Sequence, residues 1–205
     1  MKIKIEEKIL QLKSVNLDFI DISLKDLFKL KNNKTLLETL KHKKYQSINL
    51  EGFSDELKMP LGLFLESLKA KGDEKYKLFL NKYGDAEYCK FKINDKEIWK
   101  LKGIYFYVLN NEIVYTGRCC DSFYKRINNG YGRISPKNCY KDGQQTNCHI
   151  NSLVNKYHKN ISFWIYPMIN VEEIKELEVK LIKYYNPKWN ISLIDKSNLK
   201  EENYE

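Results

Sequence analysis

The sequence lacks any long apolar run. None approaches the roughly 18 residues that a bilayer-spanning helix needs, although 42% of the 205 residues are hydrophobic. The opening segment, MKIKIEEKILQLKS, interrupts its apolar residues with charge, so it lacks the apolar stretch of about 7–15 residues that defines a secretory signal. We therefore expect a soluble, cytoplasmic protein with no membrane partner.

Neither the cysteines nor the prolines form a sequence motif that indicates a function. There are five cysteines and four prolines, and no two cysteines form a CxxC pair. An odd number of cysteines without an export signal favours reduced thiols. The grouping of Cys139, Cys148 and His149, with Cys119 and Cys120 upstream, raises a zinc site as an alternative, against which no pair has ligand spacing.

Acidic residues are outnumbered. The chain carries 36 Lys and Arg against 27 Asp and Glu, which gives a net charge of +9 and a pI near 9.1. This balance suits a polyanionic partner such as nucleic acid. The alternative is a Lys-rich solvated surface, which is common in soluble proteins.

Helical spacing is the main pattern of the first half. Between about residues 24 and 44, leucines recur at three- and four-residue steps, with Asn32-Asn33 as a break between two helices. Residues 54–82 are similarly spaced, and Ser54 and Pro60 are typical helix starts. We expect residues 1–98 to form a mostly helical domain that recognises or positions a nucleic acid.

Strand patterns begin near Asp85. Residues 88–99 alternate around Asn94-Asp95, and a clearer hairpin joins 103–109 to 112–117 through Asn110-Asn111. The elements expected next are a helix at 122–128, a long polar loop at 129–147, a helix at 149–159, a strand at 161–167 and a helix from Asn170 or Val171 to Tyr185. For residues 99–205 this order predicts an α+β fold, a small antiparallel β-sheet flanked by helices.

Glu178 is the most informative residue of the last helix. It lies four residues after Ile174 and three before Leu181, so helical spacing places it on the apolar face. Burying a carboxylate costs several kcal/mol unless a cation compensates. The alternative to a metal site is that Glu178 pairs with an arginine or lies at the rim of the face.

A second candidate group comes from the predicted hairpin and the helix after it. Tyr105 and Tyr107 share one strand face, Tyr115 lies near the end of the second strand, and Gly117 would allow a tight turn there. Arg126 projects from the following helix. Phenols beside a cation and a carboxylate can polarise water and bind a phosphate, whereas each tyrosine taken alone is typical of ordinary sheet packing.

Together these residues resemble the signature of the GIY-YIG nuclease family. The matching elements, in the family's order, are Gly103-Ile104-Tyr105, Val114-Tyr115-Thr116-Gly117, Arg126, Glu178, and Asn190 within Asn186-Pro-Lys-Trp-Asn190. The match covers about residues 103–191, roughly half of the chain. A lone GIY tripeptide would carry little weight, but five ordered elements are specific.

The resemblance implies a role for each matched residue. Glu178 would bind one divalent cation, Mg²⁺ or Mn²⁺, which agrees with its inward position. Tyr105 would activate water with Tyr115 as its supporting partner, and because a phenol has a pKa near ~10, this requires a nearby cation. Arg126 is suited to that task and to gripping a phosphate oxygen. Asn190 would help to order the site.

The chain also departs from the family pattern. Thr116 replaces the isoleucine of the second motif, and Gly130 stands where many relatives carry a His or Tyr one helical turn after the arginine. Tyr131 or His149 could supply that missing group, and the choice stays open. The remaining residues expected to contact DNA are Arg118, Lys125, Tyr131, Arg133 and Lys137, the last three in the long loop.

The expected function is a Mg²⁺-dependent DNA endonuclease, most similar to a restriction or other defence nuclease. A repair or recombination nuclease and a DNA-binding module without turnover are the alternatives. Double-stranded DNA would be the partner. Because one active centre cuts one strand at a time, double-strand cleavage would need a homodimer or two successive nicks.

Overall fold

The computed structural model describes residues 1–30, 34–49 and 53–194. The helix break predicted at Asn32-Asn33 lies outside the described residues. Within these ranges the protein is α+β, with small antiparallel sheets and helices. No helix in the described ranges is long and apolar enough to cross a bilayer.

Strands and helices together account for most of the described residues. The strands are β1 (Lys2–Ile5), β2 (Lys8–Gln11), β3 (Lys13–Val15), β4 (Asp18–Leu24), β5 (Tyr88–Lys92), β6 (Lys102–Leu109), β7 (Glu112–Cys119) and β8 (Ile161–Met168). The α-helices are α1 (Leu36–Leu40), α2 (Leu61–Ala70), α3 (Lys96–Trp99), α4 (Pro136–Cys139), α5 (Gln145–Lys156) and α6 (Val171–Tyr185). Short 3₁₀ segments lie at Leu27–Lys29, Lys43–Tyr45 and Glu74–Phe79, and a π-helix spans Tyr124–Tyr131.

The chain divides into two compact units whose segments alternate along the sequence. The first contains Met1–Phe19, Phe91–Gly130 and Tyr157–Glu205, and the second contains Ile20–Lys90 and Tyr131–Lys156. A single boundary near residue 98 does not describe this division. The reason is long-range strand pairing, since β3 near the amino terminus pairs with β8.

The first unit is built on a four-stranded antiparallel sheet in the order β3-β8-β6-β7. The predicted hairpin of β6 and β7 is confirmed. Asn110 and Asn111 at its turn have φ values of 50° and 66°, the left-handed conformations that a tight type I′ turn requires. At the start of β6, Gly103 has φ 146°, and a Cβ there would lie 2.1 Å from the Tyr166 carbonyl oxygen of β8. Only glycine fits this approach.

The two faces of β6 pack against different partners. Ile104, Phe106 and Val108 share a core with the β1–β2 hairpin and with Ile174 and Leu181 of α6. The tyrosines between them alternate to the opposite face. Strand β6 is buried almost throughout, which explains its continuous apolar and aromatic sequence.

Helix α6 has the bounds that the sequence predicted. The Asn170 side chain accepts hydrogen bonds from the backbone N–H groups of Glu172 and Glu173, which caps the helix start. The helix ends at Tyr185, where Asn186 adopts a left-handed conformation with φ 43°. The strand predicted at 161–167 is also confirmed as β8.

The second unit packs its helices around a separate aromatic core. Buried residues of this core include Phe28, Leu36 of α1, Phe64 of α2, Phe79 and Tyr140. Helix α2 begins after Pro60, as predicted, whereas Ser54 precedes a series of turns. The predicted helices at 24–44 are present as short segments only.

The expectation of a mostly helical amino-terminal segment is wrong for residues 2–24, which form β1 to β4. Ile3 and Ile5 are buried while Lys2 and Lys4 are exposed, and Leu10 is buried between the exposed residues Ile9 and Gln11. This two-residue alternation is the pattern of a strand with one buried face.

The second half also departs from two expectations. Residues Lys96–Trp99 form α3 instead of a strand, because the Asp95 side chain accepts a hydrogen bond from the Glu97 N–H and starts a helix. The predicted loop at 129–147 contains α4 and the start of α5, and α5 ends at Lys156.

Candidate active site

The pairing of β6 with β7 gathers three tyrosines of the first unit. Tyr105 pairs with Gly117 and Tyr107 with Tyr115, so the three phenols share one face of the sheet. Their ring centroids lie 6.1 to 6.5 Å apart. Tyr105 is fully buried and Tyr115 is 6% exposed.

Gly117 makes room for the Tyr105 ring. A Cβ on residue 117 would lie 2.4 Å from the Tyr105 hydroxyl oxygen and 2.5 Å from its Cζ. The phenol therefore crosses directly over this backbone position. The expectation of a tight turn at Gly117 is wrong, because the residue lies inside β7.

Arg126 holds the Tyr105 hydroxyl from the π-helix. Its Nε donates a hydrogen bond of 3.0 Å to the Tyr105 oxygen. The π-helix follows Ser122, whose carbonyl accepts the Arg126 backbone N–H at 3.0 Å. Phe123 is buried, with its ring 6.5 Å from that of Tyr105, and it anchors the segment against the sheet. Single π-helical turns are frequent at functional sites.

Glu178 of α6 is largely withdrawn from solvent. Its side chain is 14% exposed and forms a 2.7 Å ion pair with Arg118, whose own side chain is 43% exposed. Burial raises the pKa of Glu178 above its ordinary value, and the charges of Arg118 and Arg126 oppose this rise without cancelling it.

These contacts involve two neighbouring residues, Gly117 and Arg118. The Tyr105 hydroxyl lies over Gly117, and the Glu178 carboxylate accepts a hydrogen bond of 2.7 Å from the Arg118 guanidinium. Arg126 donates to Tyr105, and its charge also acts on Glu178. Two oxygen groups and two guanidinium groups thus surround the end of β7, which is the mixture of charges that a phosphate diester and a cation would require.

Asn190 braces the outer edge of β7. Its side chain accepts from the Thr116 N–H at 3.0 Å and donates to the Thr116 carbonyl at 2.9 Å, while the Trp189 N–H donates to Val114 at 2.9 Å. The backbone groups along this edge belong to alternate residues of the strand, namely Val114, Thr116 and Arg118. The segment that follows α6 forms hydrogen bonds with the first two of them. Asn190 therefore positions the strand that carries Tyr115 and Gly117.

The two candidates for the missing fourth group belong to the second unit. Tyr131 is fully buried, and its carbonyl accepts a 2.6 Å hydrogen bond from Asn151. His149 is 8% exposed, with its ring 4.4 Å from that of Tyr83. Gly130 itself leaves room for a side chain, since the nearest atom to a Cβ there would be the Lys125 carbonyl oxygen at 3.5 Å.

The basic residues expected at DNA differ in their surroundings. Lys125 is exposed and pairs with Asp121 one helical turn away at 2.7 Å. Arg133 and Lys137 of the second unit are exposed, which leaves their charges within reach of a phosphate. Arg118 pairs with Glu178, so the carboxylate has the arginine partner that was predicted from the sequence as the alternative to a metal. The alternation of side chains along β7 could have identified Arg118 as this partner. It places Arg118 on the opposite face from Gly117, toward α6.

The donor chemistry of the first unit fits a cation held by a single carboxylate. Mg²⁺ keeps several waters and is commonly bound through one or two carboxylates together with substrate phosphate. Among the described residues there is no group of three or more His, Cys, Asp or Glu side chains that could hold a metal. Glu178 is therefore the candidate ligand of this unit, and zinc gains no support from the arrangement of the described cysteines.

No protein-family model, curated protein or solved structure matches this chain.

Proposed function

We propose that this protein is a Mg²⁺-dependent endonuclease that hydrolyses phosphodiester bonds of double-stranded DNA. The observation that carries the proposal is that Tyr105, bound by Arg126, lies over Gly117, while the next residue, Arg118, pairs with Glu178. The ordered GIY-YIG-like elements of the sequence supply the reaction class. The basic net charge of +9 suits a polyanionic substrate.

Tyr105 is the proposed proton acceptor. As water attacks the phosphorus, its proton passes to the phenol oxygen, the bond from phosphorus to the leaving oxygen breaks, and the leaving oxygen takes a proton from solvent. Arg126 donates to the phenol oxygen at 3.0 Å, which favours the phenolate that this role requires. Tyr115, whose ring lies 6.2 Å from that of Tyr105, supports the same phosphate.

Glu178 would hold the Mg²⁺ or Mn²⁺ ion. Such an ion, when bound, stabilises negative charge on the phosphate and on the leaving oxygen. Glu178 itself is held by its place on α6 and by its 2.7 Å ion pair with Arg118. Its withdrawal from solvent strengthens electrostatic interactions around it.

The biological setting we propose is a cytoplasmic restriction or defence nuclease, with a repair or recombination nuclease as the alternative. Residues 1–98 and the 129–147 segment would contribute to placing the duplex, and a homodimer would supply two centres for double-strand cleavage. Cleavage of linear plasmid into one defined set of fragments would support the role of a restriction nuclease. Preference for branched or damaged duplexes would support repair.

A DNA-binding module without turnover is the second candidate function. The Arg118–Glu178 ion pair favours it, because a carboxylate already neutralised at 2.7 Å can be explained without a metal. The two candidates differ in whether the chain cleaves at all.

Incubation of supercoiled plasmid with the protein in Mg²⁺ tests the proposal. The wild type should nick or linearise the plasmid, and Glu178→Gln should bind DNA but not cleave it. Lys180→Gln on the same helix, whose amine lies 3.6 Å from Glu6, serves as the matched control and should cleave. Binding without cleavage by the wild type in Mg²⁺ and in Mn²⁺ would support the module.

A further inference from the structure

Arg118 and Glu178 are unequally exposed members of one ion pair. Glu178 is 14% exposed on α6, while the Arg118 side chain is 43% exposed and joins it at 2.7 Å. Among the described residues, Glu178 is the one carboxylate that pairs with Arg118. The guanidinium therefore lies on the solvent side of the carboxylate that, in the proposed function, receives a divalent cation.

The two side chains of the pair differ in their freedom to move. Arg118 is free to move toward water, since its side chain is nearly half exposed. Glu178 is not, because it projects from a helix whose Ile174 and Leu181 are buried in the core.

We propose that Arg118 is a positioning residue that occupies the cation's place at Glu178 and exchanges with it. Before the divalent cation arrives, the guanidinium neutralises and orients the carboxylate. When the cation binds, the guanidinium leaves Glu178 and binds a phosphate oxygen of the adjacent DNA strand. This inference rests on the proposed function and adds to it a residue that weakens metal binding in the absence of DNA.

Competition between the guanidinium and the cation predicts the direction in which metal affinity changes when Arg118 is replaced. Removing the guanidinium charge should tighten metal binding, because the cation no longer has to displace it. A solvent-facing ion pair of this type is worth little, so the expected gain in affinity is about two- to fivefold. A purely structural pair would behave in the opposite way, since its loss would leave Glu178 less well placed and metal binding weaker.

The experiment measures the Mn²⁺ dissociation constant of the full chain without DNA, by calorimetry and by the spin-resonance signal of free Mn²⁺. Arg118→Gln should bind Mn²⁺ about two- to fivefold more tightly than the wild type. Arg118→Lys retains a cation and should stay close to the wild type. Lys180→Gln removes an equal charge two residues from Glu178 and should change the constant little, while Glu178→Gln should lose the site.

A second readout is DNA affinity in EDTA and in Mn²⁺, measured in a Tyr105→Phe background to prevent cleavage. In EDTA, Arg118 stays on Glu178, so Arg118→Gln should bind DNA as the unsubstituted background does. In Mn²⁺, Arg118→Gln should weaken binding and lower the salt dependence by about one counterion. Circular dichroism of each variant establishes that it is folded, and Arg118→Ala is the replacement should Arg118→Gln not fold.

Equal or weaker Mn²⁺ binding by Arg118→Gln, with binding still dependent on Glu178, would overturn the exchange and leave the proposed nuclease standing. If instead the wild type and Glu178→Gln bind Mn²⁺ alike or not at all, Glu178 is not a metal ligand. That result would overturn the exchange together with the metal assignment.

Discussion

The Tyr105 hydroxyl lies so close to Gly117 that a Cβ at residue 117 would be 2.4 Å from the phenol oxygen. Real Cβ contacts do not approach this distance, so any side chain at 117 must displace the ring. The ring is fully buried and its hydroxyl is bound by Arg126. The Tyr105 ring can therefore occupy this position only because residue 117 is a glycine.

Gly117→Ala should therefore destabilise the protein by about 1–3 kcal/mol through overpacking and abolish cleavage by moving Tyr105. Urea unfolding and single-turnover cleavage measure the two effects. Gly130→Ala is the control, because its Cβ would meet only the Lys125 carbonyl at 3.5 Å. That change should leave stability equal or higher by about 0.4–1 kcal/mol. Full activity in a stable Gly117→Ala variant would contradict the role of Tyr105.

Glu178→Gln should not destabilise the protein at pH 7.5. Burial raises the folded pKa of this carboxyl above its unfolded value despite Arg118 and Arg126, so the folded state holds the proton more tightly. The favourable contribution of Glu178 is then fully present below the unfolded pKa of about 4.3, and it is lost as pH rises through the folded pKa. The stability of the wild type relative to Glu178→Gln should fall over that window.

Urea unfolding of both proteins between pH 4 and pH 7.5 measures this difference. The amide has nearly the same size and shape as the carboxyl group, so packing is retained. A variant markedly less stable than the wild type at pH 7.5 would show that Glu178 is kept for structure, as in the alternative of a simple ion pair.

Asn190→Ala should cost stability as well as activity. The change leaves the buried N–H and carbonyl of Thr116 without their side-chain partner, at about 1–3 kcal/mol for each group. Asn128→Ala is a matched comparison, because Asn128 makes the same pair of bonds to Ile93 at 2.8 and 3.0 Å. Loss of cleavage in Asn190→Ala with unchanged unfolding free energy would contradict the bracing role.

Arg126→Gln should slow single-turnover cleavage by on the order of 10²-fold. It removes the charge beside Tyr105, so a base acting through the phenolate should need higher pH. The acidic limb of the pH–rate profile should accordingly move upward. Arg126→Lys keeps the charge but not the 3.0 Å Nε bond, and it should recover part of the rate. An unshifted profile in Arg126→Gln would contradict the assignment of Tyr105 as proton acceptor.

The sequence predicted those elements whose signals are local. The β6–β7 turn followed from two adjacent asparagines, and α6 followed from a capping asparagine at 170 and a break before Pro187. The inward position of Glu178 followed from helical spacing alone, and its side chain is 14% exposed.

Long-range relationships were not predictable in the same way. The partner of Arg118, the crossing of Tyr105 over Gly117 and the hydrogen bonds of Asn190 to Thr116 each join residues distant in the chain. The strand β1 is different, since Ile3 and Ile5 alternate visibly with Lys2 and Lys4. The two-residue period of this segment is visible in the sequence, and the prediction of a helical domain gave it too little weight.

A double-mutant comparison of single-turnover plasmid nicking in Mg²⁺ tests most directly whether Tyr105 and Glu178 act on one phosphate. The account predicts that the wild type cleaves, that Tyr105→Phe and Glu178→Gln each lose most of the rate with DNA binding retained, and that the double variant is little slower than the slower single variant. Cleavage at an undiminished rate in either single variant, or losses that simply multiply in the double variant, would contradict it.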